Sequence, residues 1–225
     1  MMYSIAIDGP AGAGKSTIAK LVAKKLGYIY VDTGSMYRAM ALACIREEVS
    51  SGDEENVVRI CDDLSITISY EDDKQQVFLN GENVNAYIRT EEVGNMTSAI
   101  SVYGPVREKL VNLQRQMASK ADVIMDGRDI GTCVLVDANL KIYLTASSRT
   151  RAMRRYEEYR ASGKECNLEE IEKDIIERDY RDMHREISPL TKADDAVLVD
   201  SSDMSVDEVV DKIIELAEKY FIKKN

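Results

Sequence analysis

A chain of 225 residues that is 44% hydrophobic can bury one full core with a smaller insert, and its formal net charge of -10, from 40 acidic against 30 basic residues, argues against a broad polyanion-binding surface. Cys44, Cys61, Cys133 and Cys166 are far apart and include no C-x-x-C pair, which disfavours a zinc site or a disulfide framework and points to reduced thiols. No apolar run approaches the ~18 residues that span a bilayer and no export signal is visible, so the expected location is the cytoplasm.

The chain opens with an apolar run, Ile5-Ala6-Ile7, that stops at Asp8-Gly9-Pro10-Ala11-Gly12-Ala13-Gly14-Lys15-Ser16-Thr17 before a helical pattern from Ser16 to Leu26. Gly9, Gly14, Lys15 and Ser16 satisfy G-x-x-x-x-G-K-S/T, in which the glycines let successive backbone N–H groups converge on one anion. The positive end of the helix dipole falls on the same spot. The whole stretch, including Pro10, Ala11, Gly12, Ala13 and Thr17, therefore reads as a polyphosphate cradle, with Lys15 reaching the outer phosphates and Ser16 ligating Mg²⁺.

A second strand, Tyr28 to Val31, ends at a polar turn, Asp32-Thr33-Gly34, where open parallel sheets bind ligands. Helical spacing from Ser35 to Glu47 sets Tyr37 and Arg38 in the first turns. A short helix near 53–64 follows, and then the period changes to alternation: 65–70, a turn at 71–74, and 76–79 form a β-hairpin, with Asn80-Gly81 turning into a third short run. Residues 65–85 thus look like a small antiparallel insert in an otherwise alternating α/β chain. Arg89 follows it, and two helices, 91–101 and 105–119, carry Ser98 and Arg107.

Val123 to Asp126 is a third core strand and opens into Gly127-Arg128-Asp129-Ile130-Gly131-Thr132, again polar and glycine-bearing. Leu140 to Leu144 is the fourth, followed by a Ser147-Ser148 cap and by Arg151, Arg154 and Arg155, whose spacing sets three guanidinium groups on one helical face; spacing alone fits an exposed charged helix paired with Glu157 and Glu158, and the position directly after a parallel strand favours a mobile phosphate clamp. A helix from 168 to 183 carries Arg178 and Asp182, with Arg185 continuing the stripe. Ala196 to Asp200 is the fifth strand, and a helix over 205–220 starts at a Ser205/Glu208 capping box. His184 is the only histidine, which removes a Ser-His-Asp triad and a histidine-ligated metal from consideration.

Taken together, the Gly9–Thr17 loop, Asp32-Thr33-Gly34-Ser35-Met36-Tyr37-Arg38, Ile88-Arg89-Thr90, Gly127 to Thr132 and Arg178-Asp179-Tyr180-Arg181-Asp182 resemble the bacterial cytidylate kinases over essentially the whole chain. The resemblance implies an α/β P-loop kinase fold: a five-stranded parallel sheet in the order 2-3-1-4-5 flanked by helices, with a β-rich inserted monophosphate-binding lobe and a helical lid. It implies one kinase domain over 1–225, its core in 1–36, 104–146 and 188–225, the monophosphate lobe over 37–103 and the lid over 147–167. It also implies transfer of the γ-phosphate of ATP to CMP or dCMP with Mg²⁺, in pyrimidine nucleotide metabolism. The chain is then expected to be a monomer acting on small molecules, with neither a nucleic-acid polymer nor a membrane as partner.

Carried over residue by residue, Lys15, Arg128, Arg151 and Arg155 are catalytic, and Ser16 is the metal ligand. Thr33, Arg38, Arg107 and Arg128 surround the acceptor's phosphate, with Asp32, Arg89 and Asp129 beside them. Ser98, Arg178, Asp182 and Arg185 read the cytosine and sugar. The family often has serine where Thr33 stands, and both supply a hydroxyl. Two other readings stay open on the residues alone: a kinase for UMP, dTMP or a non-nucleotide such as shikimate, and a regulatory nucleotide switch. The arginines at three strand ends and the lid speak against the switch.

Overall fold

The computed structural model describes residues 2–72 and 74–222. In chain order its elements are β1 (Ser4–Asp8), α1 (Lys15–Leu26), β2 (Ile29–Asp32), α2 (Thr33–Arg46), α3 (Glu54–Asp63), β3 (Ile66–Glu71), β4 (Lys74–Leu79), β5 (Glu82–Asn83) and α4 (Glu91–Ile100). There follow α5 (Gly104–Ala118), β6 (Val123–Gly127), a π-helical turn (Ile130–Val134), β7 (Leu140–Thr145), α6 (Ser148–Ala161), α7 (Leu168–His184), β8 (Val197–Asp200) and α8 (Val206–Ile222). The chain divides into two compact units, Met1–Tyr30 with Lys120–Asn225, and Val31–Ser119.

The first unit is built on a five-stranded sheet in the order β2-β6-β1-β7-β8, with β1 parallel to both β6 and β7 and β7 parallel to β8. This is the order the resemblance implies. Ile5, Ala6 and Ile7 are fully buried, which is why β1 reads as an unbroken apolar run rather than an alternating one: helices cover both faces of a parallel sheet. Ile18 and Val22 of α1 and Val209 and Ile213 of α8 pack with Ile5, Ile124, Ile142 and Val199. The helix ends follow local chemistry. Asn167 Oδ1 accepts from the N–H groups of Glu169 and Glu170 to start α7, and Ser205 and Glu208 form the expected reciprocal cap of α8.

The second unit is helical around a core of Met36, Met40, Val57, Ile60, Ile88, Ile100 and Leu110, and it contains the insert. β3 and β4 are antiparallel with Ile66 opposite Leu79 and Ile68 opposite Val77, so one face supplies apolar side chains to that core; β5 adds a short third strand. The polar turn expected at 32–34 is absent, because Asp32 ends β2 and caps α2 directly, accepting from Ser35 N at 3.0 Å, and Thr33 is already helical. α3 is closed by a tertiary cap: Lys109 of α5 donates to the carbonyls of Cys61, Asp62 and Leu64. Cys44 and Cys61 are buried free thiols, and no helix among the described residues is long and apolar enough to cross a membrane.

Candidate active site

The glycine-rich loop lies between β1 and α1. At Gly9 a Cβ would sit 1.9 Å from the carbonyl oxygen of Leu144 on β7, so no other residue lets the loop leave the sheet there. Gly14 is left-handed, at φ 85°, and turns the backbone into α1 without a side-chain cap, which leaves the first N–H groups directed into the loop. Lys15 is buried, and its Nζ folds back to donate to Pro10 O at 2.7 Å. Burial and the nearby Arg128 guanidinium lower its pKa from 10.5 to about 7, against the opposing pull of Asp126, Asp8 and Asp182. Ser16 Oγ donates to Asp126 Oδ2 at 2.8 Å, and Tyr30 donates to the other oxygen of the same carboxylate at 2.7 Å.

The loop after β6 stands next to this cradle. Arg128 Nε donates to Asp182 Oδ2 of α7 at 2.8 Å. Burial alone raises the Asp182 carboxyl, yet Arg128, Arg178 and Arg185 together hold it below the ordinary aspartate value. The i, i+4 pair of Arg178 with Asp182 is therefore not the contact that dominates: the carboxylate turns to Arg128. Arg185 Nη2 lies 4.0 Å from Asp129 Oδ1, and its Nε donates to Ser188 O at 2.6 Å. Beneath these groups the π-helical turn is pinned to the P-loop strand, since Asp8 accepts from Ile130 N and Gly131 N, each at 2.7 Å. Burial outweighs those two bonds and pushes the Asp8 carboxyl up to about 6, with Asp129 adding to the rise and Lys15 opposing it.

The three arginines of α6 do not form one outward face. Arg151 is turned inward, 7% exposed at its side chain, and donates to Ala11 O at 2.9 Å, Ala146 O at 2.8 Å and Asp179 Oδ2 at 2.6 Å. It ties the phosphate loop, the end of β7 and α7 together. Arg154 donates to Ser201 O at 2.7 Å, and Arg155 to the Tyr159 hydroxyl at 2.9 Å. Positions three and four apart share a helix side but diverge at their tips once each finds a different partner, which spacing alone does not disclose.

In the second unit, Asp32 Oδ2 accepts from Arg89 at 3.1 Å, and the α2 N-terminus next to it contributes Thr33, 3% exposed. Arg38 donates to Ile88 O at 3.4 Å, while Arg107, also buried, donates to Ser101 O at 3.3 Å and lies over the Tyr37 ring. Ser98 is on α4, one turn before that carbonyl. Cations and hydroxyls thus collect around the start of α2, α4 and the start of α5.

A family model described as cytidylate kinase matches residues 5–219. The chain belongs to the cytidylate kinase family. It is 51% identical to the cytidylate kinase of Lactobacillus johnsonii over 97% of this chain and 95% of the other, and 47% identical to that of Bacillus cereus over 98% of each. A shikimate kinase of Bacteroides thetaiotaomicron shares the fold alone, at a TM-score of 0.50 and 14% identity over 97% of this chain and 99% of that one.

Within this cytidylate kinase family member, three acidic residues next to the candidate site escaped the sequence reading. Asp8 is the last residue of β1 and Asp126 the last but one of β6, and an acid at the end of a buried strand was the available signal. Asp179 had none, because its partner Arg151 is 28 positions away.

Proposed function

We propose that the chain transfers the γ-phosphate of ATP to CMP or dCMP, giving ADP and CDP or dCDP. The observation that carries this reading is a family relationship that spans the whole chain and includes the phosphate loop, the β6 loop and the α7 stripe. The reaction needs no base from the protein: an acceptor phosphate oxygen is a nucleophile near neutral pH, and the loose transition state places its charge on equatorial oxygens, where positioned cations stabilise it. His184, stacked 4.0 Å from Tyr180, has no part in it.

Residues 9–17 cradle the donor phosphates, and Lys15 leaves Pro10 O to meet an outer phosphate oxygen. Ser16, fixed by Asp126, is the group that would hold Mg²⁺; a hydroxyl backed by a carboxylate suits a hard, oxygen-seeking cation. When bound, Mg²⁺ neutralises charge on the phosphates. Thr33, Arg38 and Arg107, with Asp32 and Arg89, are the acceptor-phosphate residues of the second unit, and Arg128 and Asp129 are those of the first. Ser98, Arg178, Asp182 and Arg185 read the base and sugar. Arg155 and Arg151 act from a lid over 147–167, Arg151 by holding the phosphate loop to α7. Residues 37–103 form the acceptor lobe, and the protein works as a cytoplasmic monomer in pyrimidine nucleotide metabolism.

A panel of nucleoside monophosphates with ATP, read as ADP formed, tests the assignment. CMP and dCMP should be the efficient acceptors; preference for UMP, dTMP or AMP, or ADP release without any acceptor, would refute it.

A further inference from the structure

The insert of residues 65–85 contains no residue with a chemical role so far, yet one of its side chains reaches beyond it. Alternation along β4 places Gln75 on the same face as the buried Val77 and Leu79, and at the end of that face its amide meets the junction of β2 and α2. Gln75 Oε1 accepts from Asp32 N at 2.8 Å, and Nε2 donates to Asp32 O at 3.2 Å and to Ser35 Oγ at 2.7 Å. An amide that accepts from the N–H and donates to the C=O of one residue reproduces the bonds a neighbouring strand makes.

Asp32 is held by its backbone so that its carboxylate is free for two other tasks. Oδ1 accepts from Ser35 N at 3.0 Å and caps α2, and Oδ2 accepts from Arg89 at 3.1 Å. Ser35 Oγ closes the ring by donating to Asp32 O at 2.7 Å. The Arg89 pair cannot fix the junction by itself, because the Arg89 side chain is 64% exposed and such pairs contribute little. Gln76, the adjacent residue, faces the other way and accepts from Asn83 at 3.0 Å and from Asn85, bonds internal to the insert.

We infer that Gln75 is a positioning residue through which the insert holds Asp32, and by way of it Thr33 and Arg89, in the arrangement that receives the acceptor's phosphate. The inference rests on the function proposed above and gives the insert a task in acceptor binding. The Gln75 amide supplies the acceptor from its oxygen and the donors from its nitrogen, both of which the junction uses.

The test compares Gln75→Met, Gln75→Glu and Gln76→Met by steady-state kinetics with CMP and ATP varied separately, and by thermal unfolding. Gln75→Met should raise KM for CMP roughly tenfold through the lost hydrogen bonds, with kcat and KM for ATP within about twofold of wild type. Gln75→Glu has the same shape, keeps the acceptor for Asp32 N, loses both donors and sets a second carboxylate beside Asp32; it should raise KM for CMP at least as much, and it carries the test should the Met variant not fold. Gln76→Met should change the unfolding midpoint and leave the ratio of the two KM values unaltered. An unchanged KM for CMP in both Gln75 variants, an equal rise in KM for ATP, or the same rise in Gln76→Met would overturn the inference. A wild-type chain that phosphorylates no CMP would overturn the proposed function with it, whereas an active wild type indifferent to Gln75 overturns this inference alone.

Discussion

Replacing Lys15 with Met should abolish transfer and at the same time stabilise the ligand-free protein at neutral pH. Lys15 is 6% exposed and its amine shares its surroundings with Arg128, so the fold holds a cation that only bound phosphate fully compensates. Depression of its pKa from 10.5 to about 7 corresponds to roughly 5 kcal/mol. Loss of the bond to Pro10 O takes back about 1 kcal/mol, and leaving Asp8 and Asp126 without their cation about 1–2 kcal/mol more, so the net gain near neutrality is on the order of 2 kcal/mol. The folded state binds fewer protons than the unfolded one between about pH 7 and 10.5, so wild-type stability rises with pH in that window by up to ~1.4 kcal/mol per unit, and the variant lacks this rise. Urea unfolding of both proteins across the window should show the variant ahead at pH 7 and the gap closing as the pH rises. Transfer should fall by the equivalent of about 3 kcal/mol or more. A variant less stable at pH 7, or a gap independent of pH, would refute the electrostatic reasoning.

ATP binding near pH 8 should take up as much as one proton, because phosphate restores the charge on Lys15; calorimetry in buffers of different ionisation enthalpy reads this directly, and no uptake would contradict the low pKa. Arg151→Met leaves Asp179 buried without its cation, with Oδ1 already lacking a hydrogen-bond partner, and should cost about 3–5 kcal/mol, much of it regained by adding Asp179→Leu. A loss under about 1 kcal/mol in urea unfolding would return Arg151 to the role of a surface cation. Lys109→Met removes three bonds to the end of α3 and should lower stability by about 1–2 kcal/mol without changing kcat; an unaltered unfolding midpoint would show the cap to be idle.

Most of the fold was legible because its signals are local. The buried run Ile5 to Ile7, the glycines around the loop, the alternation of 65–79 and the Ser205/Glu208 cap each act within a few residues, and each element formed where the pattern placed it. The errors lie where a distant residue decides. Asp32-Thr33-Gly34 looks like a turn until Asp32 caps a helix that starts at once. The α6 arginines look like one face until Asp179, Ser201 and Tyr159 draw them apart. Asp8 and Asp126 were visible as acids at strand ends, but that their carboxylates anchor the π-helical turn and Ser16 depends on chain crossings that no spacing records.

Direct transfer between two nucleotides can be followed with ATP carrying isotopic phosphorus at the γ position, in the presence of CMP and Mg²⁺. The label should appear at the β position of CDP with little inorganic phosphate. Label released as inorganic phosphate, or delivered to UMP as readily as to CMP, would contradict it.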